Sequence, residues 1–537
     1  MSVDRREWTR RGVLAAATAG VLTAAGRALL PEPLQSPTRR PDPASGSEPA
    51  MRAPLRAEKR RHVVLLVSDE HNPRVMGCAG DPDVATPTLD RMAAEGLRAT
   101  RAYAASPVCA PARISMLTGL YPAESGVLLN HHVLNNDTPT VAATFKAAGY
   151  QTVCIGKTHT NNPGATYGFD VWKGKDSLEF QERLVAARKA EQILPLPASE
   201  KGAWSGIADK RLRGGPVAAD ESAQSGVVLD LTREWLAGPR DDRPIFLYIS
   251  WTEPHWPWLL PQAWYSRYDP ASLHLPPVTT PELDPVVADI ARKSGWDRMT
   301  EAQHRLARAK YLASVSYTDH VVARILELLG GAGMLDDSIV AYTSDHGDMA
   351  TERRIWLKGV MYDGAEGVPL LLRAPGLLPA GQTSSALISG ADLYPTLAGL
   401  AGIAEQLPSN LSGQDLSAAL MGEDKGPQYR IATLGGRPNN APPPQMMIRS
   451  EQYKLLRYKI GTGPDAEERR LLYDLDADPW ETTNLIDQPK LKEVVRAHMD
   501  TSKSWLQART PCPFPLQKVQ DLPRGADLDD PELEVDD

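Results

Sequence analysis

Two apolar runs in this chain end on side chains that bind cations. "VVLLVSDE" closes on Asp69 and Glu70, and "IVAYTSDH" closes on Asp345 and His346. A continuous apolar run bounded by acids reads as a buried parallel strand. In an open α/β sheet, ligands collect beyond the carboxyl ends of such strands. Two such ends side by side would offer three carboxylates and an imidazole. Carboxylate oxygens suit a hard ion such as calcium or magnesium better than zinc. One pair alone reads first as a strand-terminal Asp capping the next helix; the matched pair points to a metal. A third feature is "SPVCAPARISMLTG", residues 106–119. Pro111 suits the start of a helix and Gly119 its end. Cys109 then lies just before a helix N-terminus, where free N–H groups and the helix dipole favour an anion and would acidify a thiol. A lone cysteine is by default a small buried hydrophobe; the spacing to Arg113 and to Leu117-Thr118-Gly119 sets this one apart.

These groups need a scaffold, and the rest of the chain supplies the pattern of one. It has 537 residues, 42% hydrophobic and 23% charged, with a net charge of -8. That length suggests one large domain plus a smaller one. The acidic balance argues against a general nucleic-acid binder. From "HVVLLVSDEH" onward, strand and helix alternate. "TPTLDRMAAEG" carries Thr86 as N-cap, Pro87 at the first helical position and Gly96 as stop. "QTVCIGKTH", "RPIFLYISW", "SIVAYTSDHGD" and "GVPLLLRAPG" read as strands. Residues 302–329 read as a long helix with Leu312, Val315, Val322, Ile325 and Leu329 at helical spacing. Such alternation predicts an α/β fold with a large, mostly parallel sheet over residues 62–430. From 431 to 520 the texture shifts to short antiparallel strands and a helix, a small α+β subdomain.

The two ends differ from this body. Arg10-Arg11 precede an apolar run from Gly12 to Gly26, shorter than the ~20 residues of a membrane-spanning helix. Residues 1–28 resemble a twin-arginine signal peptide, which implies export to the periplasm or beyond. Residues 29–61 are rich in Pro, Ser and Arg and read as a flexible linker. Residues 521–537 read as an acidic tail. The cysteines are Cys78, Cys109, Cys154 and Cys512, too few for a disulfide scaffold and without a CxxC zinc pair. Pairing among Cys78, Cys154 and Cys512 stays open.

Cys109-Ala110-Pro111-Ala112-Arg113 followed by Leu117-Thr118-Gly119 resembles the signature of the type I, formylglycine-dependent sulfatases, of the alkaline-phosphatase-like superfamily. Further segments resemble the family from about residue 62 to 490. "GYQTVCIGKTH" places Lys157 and His159, "SWTEPHWP" places His255, "SDHGD" places Asp345 and His346, and "WLKGVMYD" places Lys358. "LLYDLDADPWETTNL" resembles the family's C-terminal ending. The resemblance implies a three-layer sandwich and hydrolysis of a sulfate monoester of a sugar or an aryl or alkyl alcohol. It implies that a formylglycine-generating enzyme oxidises Cys109 to an aldehyde, whose hydrate is the nucleophile. It implies one divalent metal, Ca2+ before Mg2+ or Mn2+, held by Asp69, Glu70, Asp345, His346 and the modified Cys109. Arg113 and Lys157 would offset charge on the hydrate. Lys358 and His255 would hold the sulfate, one of them protonating the leaving alcohol. His159 would take a proton from the second hydroxyl as sulfate departs.

Two positions depart from the pattern. Glu70 stands where many members carry Asp, and Arg353-Arg354 stand where many carry His-Gly in a substrate-facing loop. Trp251, Trp256, Trp258 and Trp264 crowd around His255 and are expected either to form an aromatic platform for the substrate or to pack as ordinary loop. His131, His132, Asn135 and Asn136 are expected at the same mouth. Two other functions share the motif: a phosphonate monoester or phosphodiester hydrolase, and a non-catalytic protein that binds sulfated ligands.

Overall fold

The computed structural model describes residues 60–162, 165–203, 212, 214–277, 284–435, 444–460, 467–509 and 517–518. The signal-peptide and acidic-tail segments, Cys512, and all of the linker but its last two residues lie outside these. The described residues from Arg61 onward form one compact unit.

Eight strands make the large sheet. They are β1 (His62–Asp69), β2 (Leu97–Ala99), β3 (Gln151–Gly156), β4 (Val171–Gly174), β5 (Ile245–Pro254), β6 (Ser338–Ser344), β7 (Leu370–Arg373) and β8 (Gln382–Ser384). Their order is β8-β2-β7-β6-β1-β5-β3-β4, and only β7 runs antiparallel to its neighbours. The alternation of each strand divides its side chains between two cores. Val64 and Leu66 of β1, with Val340 and Tyr342 of β6, face one; Val63, Leu65, Ile339 and Ala341 face the other. This is why the central strands read as unbroken apolar runs.

Helices cover both faces. We label α1 (Pro87–Glu95), α2 (Cys109–Thr118), α3 (Ala223–Ala237), α4 (Glu301–Gly331), α5 (Gly390–Leu400) and α6 (Lys492–Gln507). Apolar stripes of α1, α3 and α4 join the first core, for example Leu89, Val228 and Leu312. Those of α2 and α5 join the second, for example Ile114 and Leu397. The three-layer sandwich is thereby built.

Near the C-terminus, β9 (Arg430–Leu434), β10 (Gln445–Arg449), β11 (Tyr453–Ile460) and β12 (Glu467–Asp474) form an antiparallel sheet in that order. One face, with Ile431, Ile448, Leu455 and Leu472, packs on Val494, Val495 and Met499 of α6. The other, with Met447, Leu456 and Tyr473, belongs to the first large core. The small sheet is thus fused to the large one.

Candidate active site

Register explains how distant residues meet. β1 and β6 pair in parallel with Ser68 opposite Ser344, so the next residues, Asp69 and Asp345, emerge side by side. β5 pairs with β1 so that Pro254 stands opposite Asp69 after a register shift, and His255 follows. β3 pairs with β5, Gly156 opposite Ser250, and Lys157 follows. Four adjacent strands therefore deliver Asp345, Asp69, His255 and Lys157 to one edge.

The fourth side of the site is α2. Cys109 is its first residue, and Gly119 closes it with φ +68° and an N–H donated to the Ser115 carbonyl. Pro111 is the third residue, not the first: Val108 is the N-cap, and the Ala110 N–H donates to Asn130 Oδ1 at 3.0 Å. Every residue of α2 is buried. The sulfur of Cys109 lies 3.1 Å from His346 Nε2, 3.2 Å from Lys358 Nζ and 3.8 Å from Asp69 Oδ1. The acidic thiol expected at a helix N-terminus is not found. Burial, with Asp69 and Asp345 adding to it, pushes the thiol well up despite Lys358 and Lys157. The neutral thiol is thereby favoured over the thiolate.

Arg113, one turn further along α2, is fully buried. Its Nε donates to Asp345 Oδ2 at 2.7 Å, and its Nη2 donates to Asp69 Oδ2 at 3.0 Å and to the Ser68 carbonyl at 3.2 Å. Nη1 donates to the Lys157 carbonyl, to Tyr248 Oη and to Ser250 Oγ at 3.0, 3.3 and 2.7 Å. Lys157 Nζ pairs with Asp69 Oδ2 at 2.8 Å. Burial works to raise Asp69, but Lys157, His255 and Arg113 together hold it well below the usual carboxylate range. Asp345 is pushed up to about 7 by burial, against the pull of Arg113.

Glu70 sits in left-handed backbone at φ +66°. Its Oε2 lies 3.3 Å from His255 Nε2 and 3.4 Å from Lys358 Nζ. His255 Nδ1 contacts the Trp256 carbonyl at 2.5 Å, which turns Nε2 into the site. His159 is buried two residues past Lys157, in left-handed backbone at φ +56°.

The donor set fits a divalent cation. Ligand atoms of Asp69, Cys109, Asp345 and His346 all lie within 4.8 Å of one another, as do those of Asp69, Glu70 and His255. Glu70 Oε1 is buried without a hydrogen bond, an orphan acceptor that a cation would satisfy. Burial keeps His346 neutral, and its Nδ1 meets the Gly347 carbonyl at 2.9 Å, so Nε2 presents a lone pair as a ligand must.

Of the two expectations for the tryptophans, packing holds for three, and two further expectations change. Trp251 and Trp258 are core residues, against Tyr342 and against Tyr311 and Trp356 respectively. Trp264 packs on Tyr317 and His320. Only Trp256, half-buried beside the His255 ring, remains next to the reaction centre. In the polar stretch after α2, His132 accepts from the Leu128 N–H, and Asn135 closes a turn to Asp137. Its contribution to the site comes from Asn130, which the sequence reading missed. Arg353 does not face a substrate: it is buried over the Tyr362 ring and donates to the Glu481 carbonyl. Arg354 lies near Glu301. Ser250 and Tyr248, which carry Arg113, were also missed, because nothing local marks a strand residue as a partner for a helical arginine 135 residues or more away in sequence.

The sulfatase family model matches residues 61–403, and that for the C-terminal part of N-sulphoglucosamine sulphohydrolase matches 351–507. An ulvan-active sulfatase of Formosa agariphila is 29% identical over 449 residues, 80% of this chain and 78% of the relative. A choline-sulfatase of Rhizobium meliloti is 28% identical, covering 80% and 83%. The crystal structure of the phosphonate monoester hydrolase of Agrobacterium radiobacter superposes with a TM-score of 0.69 at 22% identity, covering 84% of this chain and 96% of the other; at that identity it speaks for the fold alone. With a family match across more than half its length, the chain belongs to the sulfatase family of the alkaline-phosphatase-like superfamily and is a sulfuric ester hydrolase.

Proposed function

We propose that this sulfatase is exported by the twin-arginine route and cleaves a sulfate monoester with a formylglycine made from Cys109 and a divalent cation. The observation that carries the reading is the position of Cys109, at the head of a buried helix with His346, Lys358 and Asp69 around its sulfur. Once oxidised, this residue supplies an aldehyde hydrate with two hydroxyls on one carbon, one to attack sulfur and one to release sulfate. Asp69, Glu70, Asp345 and His346 would hold the cation, Ca2+ first, which when bound would supply Lewis-acid charge to a sulfuryl oxygen and to a nearby hydroxyl.

The remaining groups manage charge and protons. Arg113 and Lys157 neutralise Asp69 and fix its direction. Lys358, on the open side of Cys109, faces the sulfate oxygens, where a fixed cation is worth most as charge develops. His255 Nε2 stands beside Glu70 and Lys358, placed to contact the sulfate and to pass a proton to the leaving alcohol. Asp345 takes the proton of the attacking hydroxyl, and His159 takes that of the second as sulfate leaves.

The relatives above are named for ulvan and for choline sulfate, so the test panel includes sulfated sugars and choline sulfate. The protein is co-produced with a formylglycine-generating enzyme. Its kcat/KM is then measured for 4-nitrophenyl sulfate, choline sulfate, sulfated sugars and a phenyl phosphonate monoester. A sulfate ester is expected to be the best substrate; a phosphonate turned over faster would overturn the assignment. Export is tested by fractionating cells: Arg10→Lys with Arg11→Lys is expected to retain the protein in the cytoplasm, and unchanged export would refute that route.

A further inference from the structure

Strained backbone is concentrated beside Lys358. Among the described residues, ten non-glycine positions have left-handed φ, and Ala350, Thr351, Arg353, Arg354 and Leu357 are five of them. Side chains with a Cβ resist that conformation, and it persists only where the surroundings over-determine it. The run 348–358 is an arm cross-bonded within itself, the Met349 N–H donating to the Leu357 carbonyl at 2.8 Å and the Thr351 N–H to the Ile355 carbonyl at 3.0 Å, and gripped from outside as well; it ends on Lys358, whose Nζ is 3.2 Å from Cys109 Sγ.

Its base is held from within the catalytic unit. Asp348 Oδ1 accepts from the Ala350 and Leu357 N–H groups at 2.6 and 3.0 Å, and Asn72 Nδ2 donates to the Asp348 carbonyl at 2.7 Å. Its tip is gripped by residues 479–481, which follow β12 and precede α6. Arg353 donates to the Glu481 carbonyl. Arg74 joins Glu352 at 2.8 Å to the Pro479 carbonyl at 2.7 Å and lies over the Trp480 ring. The Glu481 carboxylate accepts from the Asp363 N–H at 2.7 Å and pairs at 2.7 Å with Lys454 of β11, which also pairs with Asp363 at 2.7 Å. Glu481 is buried and itself left-handed, at φ +56°. One residue thus ties the tip of the arm, the residues just beyond Lys358, and the small sheet together.

We propose that Glu481 is a positioning residue for Lys358, so that the C-terminal sheet sets the geometry of the reaction centre from outside it. Lys358 has a flexible four-carbon stem, and its ammonium goes where the arm puts its Cα. The inference rests on Lys358 contacting the sulfate; the mechanical link does not.

The test uses Glu481→Gln in the full-length protein, alone and combined with Lys358→Ala. Displacement of a catalytic group by about 1 Å costs up to ~100-fold in rate, so E481Q is expected to lower kcat by about 10- to 100-fold. In the K358A background it should lower kcat less than about twofold, because groups acting as a unit are not additive. Equal losses in both backgrounds overturn the proposal. Hydrogen exchange of residues 349–357 is followed in parallel and reads the link even in a protein that turns nothing over. Faster exchange there, with the β1 and β6 amides unchanged, supports it; unchanged exchange refutes it. If wild type turns over no sulfate ester, the reaction assignment falls while the exchange result still decides the link. Should E481Q fail to fold, Arg353→Met, which removes both the contact to the Glu481 carbonyl and the stacking on the Tyr362 ring, is carried through both measurements.

Discussion

Replacing Arg113 by Lys preserves charge and removes geometry, which makes it a sharp probe of the buried centre. Arg113 donates six hydrogen bonds, two to carboxylates, from a fully buried position. Lysine has three donors on one nitrogen and cannot span from Asp345 on one side to the Lys157 carbonyl on the other. At least three of the six contacts are lost. At ~1–1.5 kcal/mol each, with more for a carboxylate, the loss is about 3–5 kcal/mol. That is a large share of the ~5–15 kcal/mol that stabilises a typical domain. Urea unfolding followed by tryptophan fluorescence reads it as a fall in midpoint at unchanged m. A midpoint within ~1 kcal/mol of wild type would refute the claim that this guanidinium organises the site.

Two other outcomes follow from the geometry. Because buried carboxylates of Asp69, Glu70 and Asp345 crowd together, a chelator is expected to lower the thermal midpoint and abolish turnover. Adding Ca2+ at about a hundred times its dissociation constant should restore ~2.7 kcal/mol, and a midpoint indifferent to both would contradict the metal centre. His304, buried against Trp356 whose Nε1–H donates to it, has its imidazole pushed down to about 4 by burial. The unfolded chain takes up this proton first, near pH 6.5, so native stability falls as pH drops from there. The loss reaches about 3 kcal/mol at pH 4. His71 is likewise pushed down to about 4 by burial, so His304→Gln is expected to lessen the slope of that limb without abolishing it, and an unaltered slope would refute the assignment.

Much of this was legible in the residues. The strand ends at Asp69 and Asp345 were marked by apolar runs closing on acids, and parallel register then had to bring them together. The long helix was predicted over 302–329 and runs from Glu301 to Gly331. What escaped depended on burial and on contacts distant in sequence. The helix dipole argued for an acidic Cys109 thiol, but desolvation beside Asp69 outweighs a dipole. Trp251 alternates inward on β5 like its neighbours, so proximity to His255 in sequence did not bring it to the surface. Arg353 is drawn away from the pocket by Glu481, a partner more than a hundred residues later that no local pattern announces.

The central claim is that Cys109 works in an oxidised form, and the mass of its peptide tests it most directly. The protein is purified from its native host, digested, and the peptide containing Cys109 is weighed and treated with an aldehyde-reactive hydrazine. The expected peptide is lighter than the cysteine form, oxygen having replaced sulfur with loss of two hydrogens, and it reacts with the hydrazine. Native protein that turns over sulfate esters while carrying only unmodified cysteine at this position would contradict it.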